Sequence, residues 1–204
     1  MLANKFITFE GIDGSGKTTQ IKLLEQWFVE NGHQFFSTRE PGGGKIGEKV
    51  RQILKEEDIN DGITNLILII AGRRDNIENI IKPNLAKGSC VICDRFIDST
   101  IAYQNILDNI PQELILELHK LLDMSFWPDI TFFLDVDPAV AKNRINARMH
   151  SDYAKNDDLA LELKQKLRQS FLKLTAEYPQ RIKIIDANNS PEKIHQQIVK
   201  YLVS

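Results

Sequence analysis

Eight residues near the N-terminus, Gly11-Ile12-Asp13-Gly14-Ser15-Gly16-Lys17-Thr18, constrain this chain more than any other stretch. They fit G-x-x-x-x-G-K-[ST] without a mismatch. An apolar run that reads as a buried strand, Phe6-Ile7-Thr8-Phe9, precedes them. A helical pattern follows, with Ile21, Leu23, Leu24, Trp27 and Phe28 on its apolar side. Glycines in such a loop let the backbone curl so that successive N–H groups point at an anion. Lys17 adds a point charge near the β/γ-phosphates, and Thr18 offers a hydroxyl to Mg²⁺. The helix opening at Thr18 contributes its positive end. The loop implies a nucleoside triphosphate but does not say where the phosphate goes.

The rest of the chain alternates the same two signals. Strands are expected at 5–10, 34–38, 89–94, 130–135 and 182–186. Helices are expected at 18–31, 45–57, 64–87, 97–107, 111–124, 138–148, 158–177 and 191–203. Pro111 and Pro138 suit first helical turns, Ser190-Pro191 reads as N-cap and N1, and Asn31-Gly32 suits a C-cap. Continuously apolar strands such as Ile130-Thr131-Phe132-Phe133-Leu134 suit a parallel sheet covered on both faces. The pattern predicts an α/β, three-layer P-loop fold with a five-stranded parallel sheet flanked by helices. With 204 residues and no repeat or linker, one domain is expected over 1–204.

A formal net charge of −2 gives no electrostatic case for nucleic-acid or membrane binding. No apolar stretch is long enough to span a bilayer. The first residues run straight into a strand, so a cytoplasmic protein is expected. Cys90 and Cys93 form a C-x-x-C, which can mark a redox pair or half a zinc site. In a strand, however, residues three apart point to opposite faces. No second Cys/His pair completes a site, so two buried structural cysteines are expected. Histidines 33, 119, 150 and 195 are scattered, and nothing nearby makes any of them a catalytic candidate.

Two further segments end at the edge where ligands bind in α/β sheets, beyond the carboxyl ends of the strands. They are Thr38-Arg39-Glu40-Pro41-Gly42-Gly43 and Asp94-Arg95-Phe96-Ile97-Asp98-Ser99-Thr100-Ile101-Ala102-Tyr103-Gln104. An Asp at a strand end beside a P-loop is the expected holder of Mg²⁺, often through water, and the adjacent Arg can bridge phosphoryl groups of donor and acceptor. The polar stretch 149–158 interrupts the alternation. Arg144 and Arg148 precede it one turn apart on one face. It reads either as a solvated loop or as a lid over roughly 144–158 that carries arginines onto ATP.

Together, the loop from Glu10 to Thr19, Thr-Arg-Glu-Pro-Gly-Gly at 38–43 and Asp-Arg…Ser-Thr…Ala-Tyr-Gln at 94–104 resemble thymidylate kinases. The resemblance extends through Ile81-Lys82-Pro83, Pro128-Asp129 and Leu134-Asp135-Val136. It implies transfer of a phosphoryl group from ATP to dTMP, with Mg²⁺ as cofactor, in a homodimer. By that resemblance Gly11, Ile12, Asp13, Gly14, Ser15, Gly16, Lys17, Thr18 and Thr19 hold the ATP phosphates, with Thr18 and Asp94 serving the metal. Asp13 reaches the deoxyribose 3′-hydroxyl, and Arg39 and Arg95 grip the dTMP phosphate. Arg73 reads the thymine carbonyl, Thr100 meets the base edge, and Tyr103 packs under the sugar. Ser99 and Gln104 complete the dTMP site. Lys17, Arg95, Asp94 and a lid arginine, Arg148 with Arg144 in support, carry the catalysis.

Two positions depart from the family pattern. Ile69 stands where a base-stacking aromatic is usual, and Asp152-Tyr153 stands where the lid carries Asp-Arg, which leaves Arg148 as the lid cation. The rivals are a P-loop kinase for another nucleoside monophosphate and a nucleotide-binding regulator without turnover. A GTPase switch is disfavoured because Asp186-Ala-Asn-Asn lacks the lysine of a guanine-reading element.

Overall fold

The computed structural model describes residues 3–148 and 160–203, without the Arg148 side chain. Five strands, β1 (Phe6–Glu10), β2 (Phe35–Arg39), β3 (Cys90–Asp94), β4 (Ile130–Asp135) and β5 (Ile182–Asp186), form one parallel sheet in the order β2-β3-β1-β4-β5. Nine α-helices connect and flank them among the described residues: α1 (Lys17–Glu30), α2 (Lys45–Glu56), α3 (Gly62–Asn76), α4 (Lys82–Ala86), α5 (Ile97–Leu107), α6 (Gln112–Leu121), α7 (Pro138–Arg148), α8 (Leu161–Glu177) and α9 (Pro191–Val203). The sheet and the helix order match the α/β expectation.

The strands are apolar on both sides because both sides are covered. On one face Ile7, Phe9, Ile92, Phe132 and Leu134 pack with Leu24 and Phe28 of α1 and Ile194 and Ile198 of α9. On the other, Phe6, Val91 and Phe133 pack with Leu66 and Ile70 of α3, Ile97 and Ile101 of α5, and Phe171 and Leu174 of α8. Each such side chain stabilises the fold by roughly 1.5–3 kcal/mol relative to exposure. Cys90 joins the first cluster and Cys93 the second, both buried and neither in a disulfide, so the C-x-x-C spacing does follow a strand that sends them to opposite faces.

The expected single helix over 64–87 is divided. Asp61 caps its start by accepting from the Thr64 N–H at 2.8 Å, so α3 opens at Gly62. A π-helical turn, Ile77–Ile81, then separates α3 from α4. Pro83 lies just beyond it and has no N–H to return to residue 79, and the regular ladder gives way there. The turn keeps Ile77 and Ile81 in the core. Of the expected lid, residues 149–158 lie outside the described residues. No helix among the described residues is long and apolar enough to cross a membrane.

Candidate active site

Strand register builds the site. Phe9 pairs with Asp94, and Asp94 with Arg39, so the carboxyl ends of β1, β2 and β3 finish level. The Glu40 N–H donates to the Asp94 carbonyl at 2.9 Å and the Arg95 N–H to the Phe9 carbonyl at 3.0 Å, which binds the three exits together. Beyond them lie the P-loop and a cavity of about 190 Å³.

Gly14 has φ +83, and a Cβ there would meet the Ala141 carbonyl oxygen of α7 at 2.5 Å, so only glycine lets the loop pack this closely. Lys17 is 7% exposed and folds back on the loop, its ammonium donating to the carbonyls of Gly11 (3.0 Å) and Ile12 (3.2 Å). Burial, with the Arg95 charge behind it, pulls its pKa below the usual lysine value. An arriving phosphate would stabilise the charged form and offer stronger acceptors than two carbonyls. Asp94 Oδ1 and Ser15 Oγ are buried with no hydrogen-bond partner among the described residues, and the Thr18 side chain is exposed in the first turn of α1. Such hard oxygen donors fit Mg²⁺ shared with nucleotide phosphates.

The cavity is lined by Asp13, Glu40, Pro41, Ile69, Arg73, Arg95, Phe96, Ser99, Thr100, Tyr103 and Gln104. Eight of these are residues expected from the sequence, and Glu40, Pro41 and Phe96 lie in the same motifs; the fold brings them into one wall. At one end Arg95 donates to Asp13 at 2.5 Å and to Ser99 at 3.1 Å, and its guanidinium sits 4.9 Å from the Tyr103 ring centre. Arg95 adopts φ +69, seldom taken by a non-glycine residue. Its own N–H bond to Phe9 and the Cys93 thiol donating to its carbonyl at 3.0 Å hold it there. The Arg95 cation, with Lys17 in support, holds the Asp13 carboxyl down at about 2 despite opposing burial. Burial pushes the Tyr103 phenol up to about 12.

Arg73, 1% exposed, closes the other end. Its Nε donates to Glu40 at 2.7 Å, Nη2 to the Thr100 hydroxyl at 2.7 Å and Nη1 to His119 Nε2 at 2.9 Å. Asn76 donates to the other Glu40 oxygen at 3.0 Å. That contact needs Gly43, because a Cβ there would fall 2.3 Å from Asn76 Oδ1. Burial raises the Glu40 pKa against the pull of Arg73, so this pair is held by its full complement of hydrogen bonds.

Some candidates sit elsewhere. Arg39 turns to Glu48 of α2, donating to both carboxylate oxygens at 2.9 and 3.0 Å, and does not line the cavity. Arg144 is half-buried in α7, and the Arg148 side chain lies outside the described residues. Asp98 turns away from the cavity and forms a double hydrogen bond with Arg181 at 2.6 and 2.7 Å.

Three groups at the site were not anticipated. Glu40 and His119 complete the Arg73 shell. Glu10, fully buried at the end of β1, accepts from the Phe96 N–H at 2.7 Å and the Ser99 hydroxyl at 2.5 Å. Burial, then the nearby Asp98 charge, raises its pKa to about 8. Glu10 and Glu40 stood inside the quoted motifs, where an acid beside a glycine loop could have been marked as a partner for the arginines. Nothing in sequence marked His119.

A thymidylate kinase family model matches residues 9–198. The curated thymidylate kinase of Wolbachia pipientis is 42% identical over 198 residues, covering 95% of this chain and 97% of that one. That of Clostridium novyi is 37% identical over 199 residues, covering 97% of each. The crystal structure of thymidylate kinase from Ehrlichia chaffeensis superposes with a TM-score of 0.77 at 38% identity, covering 97% of this chain and 98% of that one.

Proposed function

This chain belongs to the thymidylate kinase family and phosphorylates dTMP to dTDP, and from that premise we propose which residues carry the reaction. The observation that carries the reading is the cavity beside the P-loop, with the Arg95 cation at its phosphate-proximal end and the Arg73 cation at the other. A nucleoside monophosphate has complementary ends, an anion and a base edge. Three of the five Arg73 N–H donors are taken, which leaves one on each terminal nitrogen. Two free donors suit the 4-carbonyl of thymine and oppose the amino group of cytosine. Thr100 and Gln104 border the base, Ile69 covers its face, and Tyr103 with Asp13 bounds the sugar.

The nucleophile is a phosphate oxygen of dTMP, mostly ionised at neutral pH because its second pKa is about 6. No general base is required. The barrier is the approach of two polyanions and the charge spread over the transferred group. Lys17 leaves the carbonyls of Gly11 and Ile12 for the ATP phosphates. Arg95 exchanges part of its Asp13 contact for the acceptor phosphate, aligned by Ser99. Thr18 and Asp94 would hold Mg²⁺, which when bound neutralises phosphate charge. Arg148, with Arg144, adds a cation from the lid side, and Arg39 reaches the acceptor phosphate after releasing Glu48.

The same reading includes one P-loop kinase domain over 1–204, ATP as the donor, and a cytoplasmic homodimer. Ile46 and Ile53 of α2 and Ile63 and Ile67 of α3 are exposed aliphatics on two packed helices, which supports a dimer face. Light scattering at micromolar concentration tests it, and a monomer mass rejects it. A coupled ADP-release assay with ATP, Mg²⁺ and dTMP, dUMP, dCMP, UMP, AMP and GMP tests the substrate. A strong preference for dTMP is expected. Preference for another monophosphate would overturn the base assignment, and ATP binding without turnover would favour a regulator.

A further inference from the structure

His119 carries an inference that no sequence motif suggests. It lies on α6, 46 positions from Arg73, is 2% exposed, and both its ring nitrogens are engaged. Nδ1 sits 2.7 Å from the Ile115 carbonyl oxygen, one turn earlier on the same helix. A carbonyl only accepts, so Nδ1 carries the proton. Nε2 sits 2.9 Å from Arg73 Nη1. A guanidinium only donates, so Nε2 must be bare. The two contacts together allow one tautomer of the neutral ring. Burial, with the Arg73 charge in support, lowers the His119 pKa to about 4, which keeps that form through the neutral range.

We propose that His119 is a positioning residue for base recognition: it absorbs one Nη1–H of Arg73 and thereby fixes which two N–H donors face the cavity. Glu40 and Thr100 hold the Nε and Nη2 side of the guanidinium. Without His119, the Nη1 side has no partner among the protein groups described. The Nη1 nitrogen then presents two free hydrogens instead of one, and the guanidinium can rock about the Glu40 contact. Recognition of a single carbonyl acceptor is then blurred, because a misplaced donor on a buried site discriminates poorly. The phosphate end, 24 residues away in sequence at Arg95, shares no hydrogen bond with His119. The loss therefore falls on dTMP and not on ATP.

The proposal rests on reading Arg73 as the base-contacting group, so the test includes Arg73→Gln beside His119→Leu, His119→Phe and His119→Gln. Steady-state kinetics give KM for dTMP, KM for ATP and the dTMP over dCMP ratio of kcat/KM, with circular dichroism checking the fold. The Leu and Phe variants are expected to raise the dTMP KM at least tenfold and to lower the dTMP/dCMP ratio. The ATP KM is expected to stay within about twofold. Gln, whose amide oxygen can accept in place of Nε2, is expected to recover most of the loss. If the folded Leu or Phe variant keeps the wild-type dTMP KM while Arg73→Gln does not, the positioning role is overturned and the base contact survives. If Arg73→Gln also keeps it, the base contact itself is wrong. Should both apolar variants fail to fold, the Gln variant decides. A dTMP KM within threefold of wild type supports the proposal, and a larger rise contradicts it.

Discussion

Arg95 and Asp13 are joined at 2.5 Å across the mouth of the cavity, so the arginine proposed to receive the acceptor phosphate already holds an anion in its place. The same guanidinium also donates to Ser99, and Ser99 donates to buried Glu10. The cation is thus oriented before substrate arrives, which lowers the reorganisation needed in the transition state.

Arg95→Ala is expected to lower kcat by about 10²–10³-fold with the fold intact, the range seen when one preorganised charge-stabilising donor is removed. ADP release against dTMP, with circular dichroism as control, checks it. Near-normal turnover would remove Arg95 from the mechanism.

Ile69 lines the cavity, and on the proposed reading it covers the base where an aromatic would stack. Base–aromatic stacking contributes about 1–3 kcal/mol per base. Ile69→Phe is expected to tighten dTMP binding by roughly fivefold or more, read by calorimetry. Unchanged or weaker affinity would show that the aliphatic side chain already fits this cavity best.

Glu10 gives a pH signature. Its folded pKa is raised from 4.5 to about 8, by burial first and Asp98 second. The folded state therefore holds a proton that the unfolded chain has released. This contribution is fully present below about pH 4.5 and is lost as pH rises toward 8. Glu10→Gln keeps a neutral side chain at every pH. Relative to wild type it is expected to gain stability at pH 8 over pH 5, by about 1–3 kcal/mol, in urea melts at both pH values. An equal difference at the two pH values would mean that Glu10 is ionised throughout.

Glu40→Gln leaves Arg73 as a buried charge without its anion. Breaking such a pair by removing one partner destabilises by about 3–5 kcal/mol. Thermal unfolding is expected to show a fall of roughly 6–20 °C, by the usual scaling of about 2–4 °C per kcal/mol for a chain of this size. A fall of only one or two degrees would show that Thr100 and His119 suffice to hold Arg73.

Much of this was legible in the sequence, and the reason lies in local rules. The P-loop, the five strands and most helix limits follow from glycine spacing, apolar runs and caps, which act over a few residues. The cavity residues at 94–104 were legible because the first two turns of α5 after a strand end place them together. Tertiary partners were not legible. The quoted motif showed Glu40 but not its bond to Arg73, 33 positions away, and Asp98 sat in the right segment yet pairs with Arg181, 83 positions on. His119 reads as an ordinary helix histidine until α6 packs against α5. The π-helical turn at 77–81 was hidden because the apolar pattern continues through it while Pro83 disrupts only the backbone ladder.

The most direct test of the account is a crystal structure with dTMP, a non-hydrolysable ATP analogue and Mg²⁺. The account predicts the thymine 4-carbonyl within 3.2 Å of the Arg73 terminal nitrogens, a hydrogen-bond distance, and the dTMP phosphate on Arg95 with Lys17 moved to the ATP phosphates. A base seated away from Arg73, or a phosphate that leaves the Arg95–Asp13 pair untouched with Arg95 making no contact to it, would contradict it.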